Sequence, residues 1–172
     1  MTRFALDLIN SLRCFDMKDT TLCYIERDGK YLMLYRNKKE NDVNEGKYVG
    51  IGGHFEENET PSECVIREVR EESSLILNTP KYRGIVTFVS DKYESERMHL
   101  FTCDDFSGEI SECNEGELSW VEKSKIEELP MWEGDIYFLR MLNEERDFFE
   151  MKLVYKGDTL IEYYLNDKRQ AI

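Results

Sequence analysis

The 172-residue chain contains no apolar run approaching the roughly 18 to 20 residues that a spanning helix needs. It also lacks a basic start followed by a long apolar stretch and a small-residue cleavage site. These absences exclude helical membrane insertion and predict a cytoplasmic protein. Five cysteines (Cys14, Cys23, Cys64, Cys103 and Cys113) make an odd number with no Cys-x-x-Cys pair, which excludes a disulfide framework and a zinc ribbon and points to a reducing compartment. Positive charge is scarce: 23 Lys and Arg stand against 36 Asp and Glu, a formal net charge of −13. Coating nucleic acid or an anionic membrane requires clustered cations, so neither a nucleic-acid polymer nor a membrane is an expected partner. No internal repeat or low-complexity linker is present.

What is there suits one globular domain: the length is near the roughly 150 residues of a typical domain, and 41% of residues are hydrophobic. Phe4, Leu8, Leu12 and Phe15 would form an apolar stripe on a short N-terminal helix, so residues 1–16 are read as an extension and 17–172 as the domain. Two strand-like segments, Thr20 to Ile25 and Lys30 to Tyr35, flank Asp28-Gly29, a dipeptide that supplies the positive φ of a hairpin turn. After a charged loop, Tyr48 to Gly53 reads as a strand ending in paired glycines, which permit close backbone approach. Thr60-Pro61-Ser62-Glu63 combines an N-cap, an N1 proline and a capping-box glutamate, predicting a helix from Pro61 to Ser73. Tyr82 to Ser90, Glu96 to Cys103 and Leu118 to Val121 read as strands, and Lys123 to Leu129 and Trp132 to Leu142 as helices. Phe149 to Tyr155 and Thr159 to Leu165 form a terminal hairpin turning at Gly157-Asp158. The expected class is α+β.

On the predicted helix, Glu68, Glu71 and Glu72 lie at i, i+3 and i+4, so three carboxylates share one side. Such pairs repel, and a solvated surface would be better served by Glu-to-Lys pairing. Grouped carboxylates beside a glycine-turn carbonyl suit a hard cation such as Mg²⁺ or Mn²⁺, which shares its shell with substrate phosphates. Gly53, Glu59 after five further residues, Arg67-Glu68-Val69 after seven, then Glu71-Glu72 and Leu75 together resemble the Nudix box at every defining position but its last glycine, where Ser74 stands.

The resemblance implies a Nudix-like α/β/α sandwich with a mixed central sheet, flanking helices and the C-terminal hairpin. It implies that Glu68, Glu71 and Glu72 bind Mg²⁺ with the Gly52 carbonyl, that Arg67 orients the carboxylates with Glu59 as its partner, and that Glu115 is an additional ligand or base. Glu112 and Glu117 are alternatives to Glu115. Glu68 is the first expectation for general base and Glu115 the second.

Beyond the box, Pro130 to Asp135 with the helix and hairpin after it resembles the MutT-type triphosphatases that act on oxidised purine nucleotides such as 8-oxo-dGTP. That likeness implies release of monophosphate and pyrophosphate and a role in nucleotide-pool sanitation and DNA repair. Trp132 would stack on the purine and Asp135 would bind its edge. Arg36, Tyr48, Val49 and Gly53 are assigned to substrate binding, although Val49 replaces an asparagine and Gly134 an acid of those relatives. Phe88 and Tyr93 are further candidates for the base pocket and His54 for phosphate, whereas His99 is read as structural. Two other readings are a pyrophosphatase for another nucleoside diphosphate such as ADP-ribose, and a non-catalytic nucleotide-sensing module. Monomer and homodimer both remain open.

Overall fold

The computed structural model describes residues 17–172; the expected N-terminal helix over 1–16 lies outside them. The chain forms strands β1 (Lys18–Arg27), β2 (Lys30–Arg36) and β3 (Tyr48–Val49), helix α1 (Pro61–Ser73), β4 (Ile76–Leu77), β5 (Lys81–Ser90), β6 (Glu96–Cys103), β7 (Phe106–Ser107) and β8 (Gly116–Glu122). A 3-10 helix (Lys123–Glu128), helix α2 (Asp135–Asn143), β9 (Phe149–Lys156), β10 (Thr159–Leu165) and β11 (Lys168–Arg169) complete it. Nine strands make one sheet in the order β11-β10-β9-β5-β6-β1-β2-β3, with β8 also on β2, while β4 and β7 pair separately. The sheet is mixed, because β1 runs parallel to β6 and β5 parallel to β9. Among the described residues, no helix is long and apolar enough to cross a membrane.

Side chains of successive strand residues alternate between faces, and this divides the core into two layers. Cys23, Ile25, Leu32, Phe101 and Cys103 join Val65 and Val69 of α1 on one face. Tyr24, Tyr31, Met33, Val86 and Leu100 meet Phe138, Leu139 and Leu142 of α2 on the other, where Ile126 of the 3-10 helix adds to the cluster. With apolar side chains on both faces, the central strands need a helical cover on each side, which gives the expected sandwich.

Local signals explain the elements. Asp28 and Gly29 both have positive φ, 50° and 72°, as a type I′ turn requires. Thr60 caps α1: its hydroxyl accepts from the Glu63 N–H at 3.3 Å while the Glu63 carboxylate accepts from the Thr60 N–H at 2.8 Å. Ser74 ends α1 in the left-handed region at φ 65°, and its N–H donates to the Arg70 carbonyl. It therefore makes the turn usually given to glycine, with some backbone strain.

The expected helix Lys123 to Leu129 is a 3-10 helix ending at Glu128, and β1 and β8 extend past their expected ends. Two further differences have a local cause. Only Tyr48 and Val49 of the Tyr48 to Gly53 segment form a regular strand, since the chain then crosses from β2 toward β1 and meets it through single bridges, Cys23 to Ile51 and Thr20 to His54. Helix α2 begins at Asp135, not Trp132, because Trp132 to Gly134 form a turn closed by the Asp135 N–H on the Trp132 carbonyl. Removing the α1 cap with Thr60→Ala should cost about 1 kcal/mol in urea unfolding, with an unchanged dependence on denaturant.

Candidate active site

The three grouped glutamates separate by environment. Arg67 lies at their centre. Its guanidinium makes a two-pronged contact with Glu59 at 2.6 and 2.9 Å, donates to Glu68 at 2.7 Å, and reaches the His54 carbonyl at 3.0 Å. Glu71 is exposed and only 3.5 Å contact distance from the same group. The Arg67 hydrogen bonds hold the Glu59 carboxyl down at about 2, and Glu59 in turn raises the Arg67 pKa. Hence Arg67 ties the loop before α1 to the helix and fixes where Glu68 points.

Paired glycines bring the loop against this cluster. Gly52 has no room for a side chain, because a Cβ there would collide with the Thr21 carbonyl of β1. A Cβ on Gly53 would lie 2.5 Å from the Glu68 carboxyl carbon, so its absence lets that carboxylate rest on the backbone. The N–H of Ile51 and the carbonyls of Ile51 and Gly53 bond β1, whereas the Gly52 N–H donates to Glu72 at 3.2 Å. In extended chain the N–H and C=O of one residue share a side, so the Gly52 carbonyl also faces the glutamates.

Glu72 is drawn inward. Burial, and then the neighbouring Glu115 carboxylate, push its pKa up. Glu115, from the loop before β8, is partly buried too, yet Arg36, Glu72 and Lys39 hold its pKa below the ordinary range. Arg36 bonds both Glu115 and, at 2.6 Å, Asp42. Arg36, expected to bind phosphate, is thus engaged with two carboxylates. Of the alternatives to Glu115, Glu117 instead accepts from Asn37 at 3.1 Å.

Among the described residues, no three acidic, His or Cys side chains already converge tightly enough to hold an ion. Glu68 is turned to Arg67 and Glu115 to Arg36. The donor chemistry nevertheless fits a hard divalent cation: several carboxylates lie together, one of them, Glu72, pushed up by burial and then by the neighbouring Glu115. A cation there would offset both the burial of the Glu72 charge and its repulsion from Glu115.

A second group lies on the opposite face of the sheet. Trp132 is 8% exposed and meets Phe88, Tyr93 and Tyr155 edge-on at 5.9, 5.7 and 5.3 Å between ring centres. Its indole N–H donates to Asn44 at 2.8 Å, and the Lys47 ammonium sits 4.5 Å from its ring centre. Tyr48 packs at the edge of this cluster and against Tyr35, with ring centres 4.8 Å apart. Asp135 opens α2 and is buried; burial, and then the charge of Glu96, push it up to about 8.

Val49 does not join Trp132: it packs with Leu34 and Cys113, because neighbouring residues of a strand face opposite ways. A Cβ on Gly134 would lie 2.5 Å from a Leu153 methyl and 2.8 Å from the Tyr155 hydroxyl, so an acid there would require those side chains to shift. His54 is exposed, and His99 is bonded to Tyr82 at 2.6 Å and Asp19 at 2.9 Å, away from both groups. Sequence reasoning passed over Asn44, Lys47 and Glu96. Nothing in the sequence marks the first two, but alternation along Glu96, Met98 and Leu100 places an acid on an otherwise apolar strand face.

Gly52→Ala should lower stability by more than about 3 kcal/mol, because backbone must move. Gly53→Ala should leave the melting temperature nearly unchanged, since the Glu68 side chain can swing aside. Asp135 has a folded pKa raised from 3.8, so its contribution to stability is present below that value and lost as pH rises through about 8. Urea unfolding should therefore show Asp135→Asn gaining on the unsubstituted protein between pH 5 and pH 8.

The NUDIX domain family model matches residues 17–142. An uncharacterized Nudix hydrolase of Bacillus subtilis, YvcI, is 30% identical over 156 residues, covering 87% of this chain and 95% of its own. The oxidized purine nucleoside triphosphate hydrolase of Danio rerio is 27% identical over 154 residues, covering 89% and 97%. The crystal structure of a MutT protein from Bacillus halodurans superposes with a TM-score of 0.78 at 25% identity, covering 88% of this chain and 99% of that one. The box from Gly53 to Leu75, the mixed sheet between two helical layers and these likenesses agree, and the chain belongs to the Nudix hydrolase family.

Proposed function

We propose that the protein is a Mg²⁺-dependent hydrolase of purine (deoxy)nucleoside triphosphates, oxidised forms such as 8-oxo-dGTP included, that releases monophosphate and pyrophosphate and cleanses a cytoplasmic nucleotide pool. The observation that carries this reading is the pairing of a carboxylate cluster on α1 with a buried aromatic and acidic group, Trp132 and Asp135, where a base can be held. The likeness to the Danio rerio enzyme spans the segment that holds Trp132 and Asp135 as well as the box.

Glu68, Glu71, Glu72 and Glu115, with the Gly52 carbonyl, would hold the metal; Mn²⁺ satisfies the same donors. When bound, the ion lowers the pKa of water and neutralises charge developing on phosphate oxygens. Arg67 keeps Glu68 in place through the Glu59 brace. Glu68 takes the proton of the attacking water as general base. Glu115 is less suited, because Arg36 and Lys39 favour its ionised form and so weaken it as a base. Arg36 and Lys39 serve better as cations near the phosphates, with Gly53 allowing the loop to approach. Trp132 and Tyr48 offer aromatic surface to the base, and Asp135 offers a protonated carboxyl to its edge.

With Mg²⁺, product analysis over 8-oxo-dGTP, dGTP, dATP and ADP-ribose should show monophosphate and pyrophosphate from the purine triphosphates. Glu68→Gln should cut kcat by about a hundredfold or more with little change in KM. Turnover of ADP-ribose in preference to triphosphates would overturn the substrate assignment, and no turnover of any would overturn the enzyme reading in favour of a sensing module.

A further inference from the structure

Glu96 begins β6 directly opposite Phe88 of β5, so the two side chains share a face. Phe88 packs edge-on to Trp132. Met98 and Leu100 follow Glu96 on that face and belong to the cluster around Trp132 and α2. Glu96 is therefore an acid at the end of an apolar stripe, partly buried, and its charge is felt by Asp135. Thr20 of β1 supplies an independent sign of a missing partner. It is 5% exposed, and its hydroxyl is the one buried side-chain oxygen among the described residues with no hydrogen-bond partner. Alternation puts Thr20 on the same face as Leu22 and Tyr24. Burial pushes the Glu96 carboxyl up, and the Thr20 hydroxyl, His54 and Lys18 oppose this in part, with no formed bond from the Thr20 hydroxyl. Glu96, Thr20 and Asp135 thus lie on the side of the sheet covered by α2, with the Thr20 hydroxyl unpartnered and the Asp135 carboxyl without a hydrogen bond among the described residues, an arrangement that costs free energy unless a ligand completes it.

Building on the nucleotide-binding reading above, we infer that Glu96 is a base-specificity residue, forming with Asp135 a two-carboxyl cradle that reads the hydrogen-bonding edge of a guanine-type purine. The edge offers one acceptor, the keto oxygen, and two adjacent donors, the ring N–H and the exocyclic amine. Asp135, the more deeply buried acid, retains a proton and donates to the keto oxygen. Glu96, at the open end of the strand, accepts from the ring N–H and the amine, and Thr20 adds a hydroxyl beside them. A neutral Asp135 removes the like-charge repulsion between the two acids. The cradle replaces polar contacts that Gly134 and Val49 do not make, and it lies outside the box and outside the Pro130 to Asp135 segment. Guanine and its 8-oxo form share this edge, so Glu96 selects the base and not its oxidation.

The test compares nucleotides differing only in the exocyclic amine. The kcat/KM of the unsubstituted protein with Mg²⁺ should favour dGTP over dITP by about tenfold, the worth of a hydrogen bond to a charged acceptor. Glu96→Leu should bring the ratio to about one: both nucleotides lose the ring N–H bond and rise in KM, and dGTP rises further because it also loses the bond from its amine. Glu96→Gln keeps the shape should the leucine variant fail to fold, and should reduce the preference at least about threefold. Binding of dGMP and dIMP without metal, followed by tryptophan fluorescence, should show the same preference. Equal use of dGTP and dITP, or a preference that survives both substitutions, would overturn the cradle while leaving the hydrolase reading intact. Discrimination in binding without any turnover would overturn the hydrolase reading and support the cradle.

Discussion

Gathering carboxylates on one helix turn is opposed by their own charge, and the guanidinium of Arg67 makes the arrangement tenable. Its two-pronged bond to Glu59 and its bond to Glu68 offset like-charge repulsion, and its contact with the His54 carbonyl ties the glycine loop to α1. The loop can come that close only because Gly52 and Gly53 have no side chains, with β1 behind one and Glu68 beside the other. Helix cap, loop and carboxylate positions are therefore one connected unit.

The sheet divides the labour. One face carries α1 and its carboxylates; the other carries Trp132, Asp135 and Glu96. The β2–β3 segment joins the two groups. Arg36 at its start bonds Glu115, while Asn44 and Lys47 further along contact Trp132. In the proposed function, the phosphates and the base of one nucleotide would be held on different faces of the sheet.

The α1 boundaries, both hairpin turns and the α+β class were legible because they depend on short-range chemistry: a capping box, an Asp-Gly turn and side-chain periodicity. The left-handed exit at Ser74 was legible as well, since the box places a turn there. Other features were not. Nothing local shows that β8 brings Glu115 beside Arg36 at the end of β2, or that Val49, assigned to substrate binding, faces Leu34 and Cys113. Trp132 read as the start of a helix because the turn ahead of α2 depends on packing against Tyr155, which follows 23 residues later in the chain.

By itself the sequence determined the family, the helix that carries Glu68, Glu71 and Glu72, and the scarcity of positive charge. Those properties reside in residue types at fixed spacing along one element. Only the tertiary structure decided that Glu71 stays exposed while Glu72 is half-buried beside Glu115, and that the charge of Glu96 acts on Asp135. Burial and the approach of distant charges set those differences, and both depend on which strands lie side by side, a pairing that spacing within a single segment does not encode.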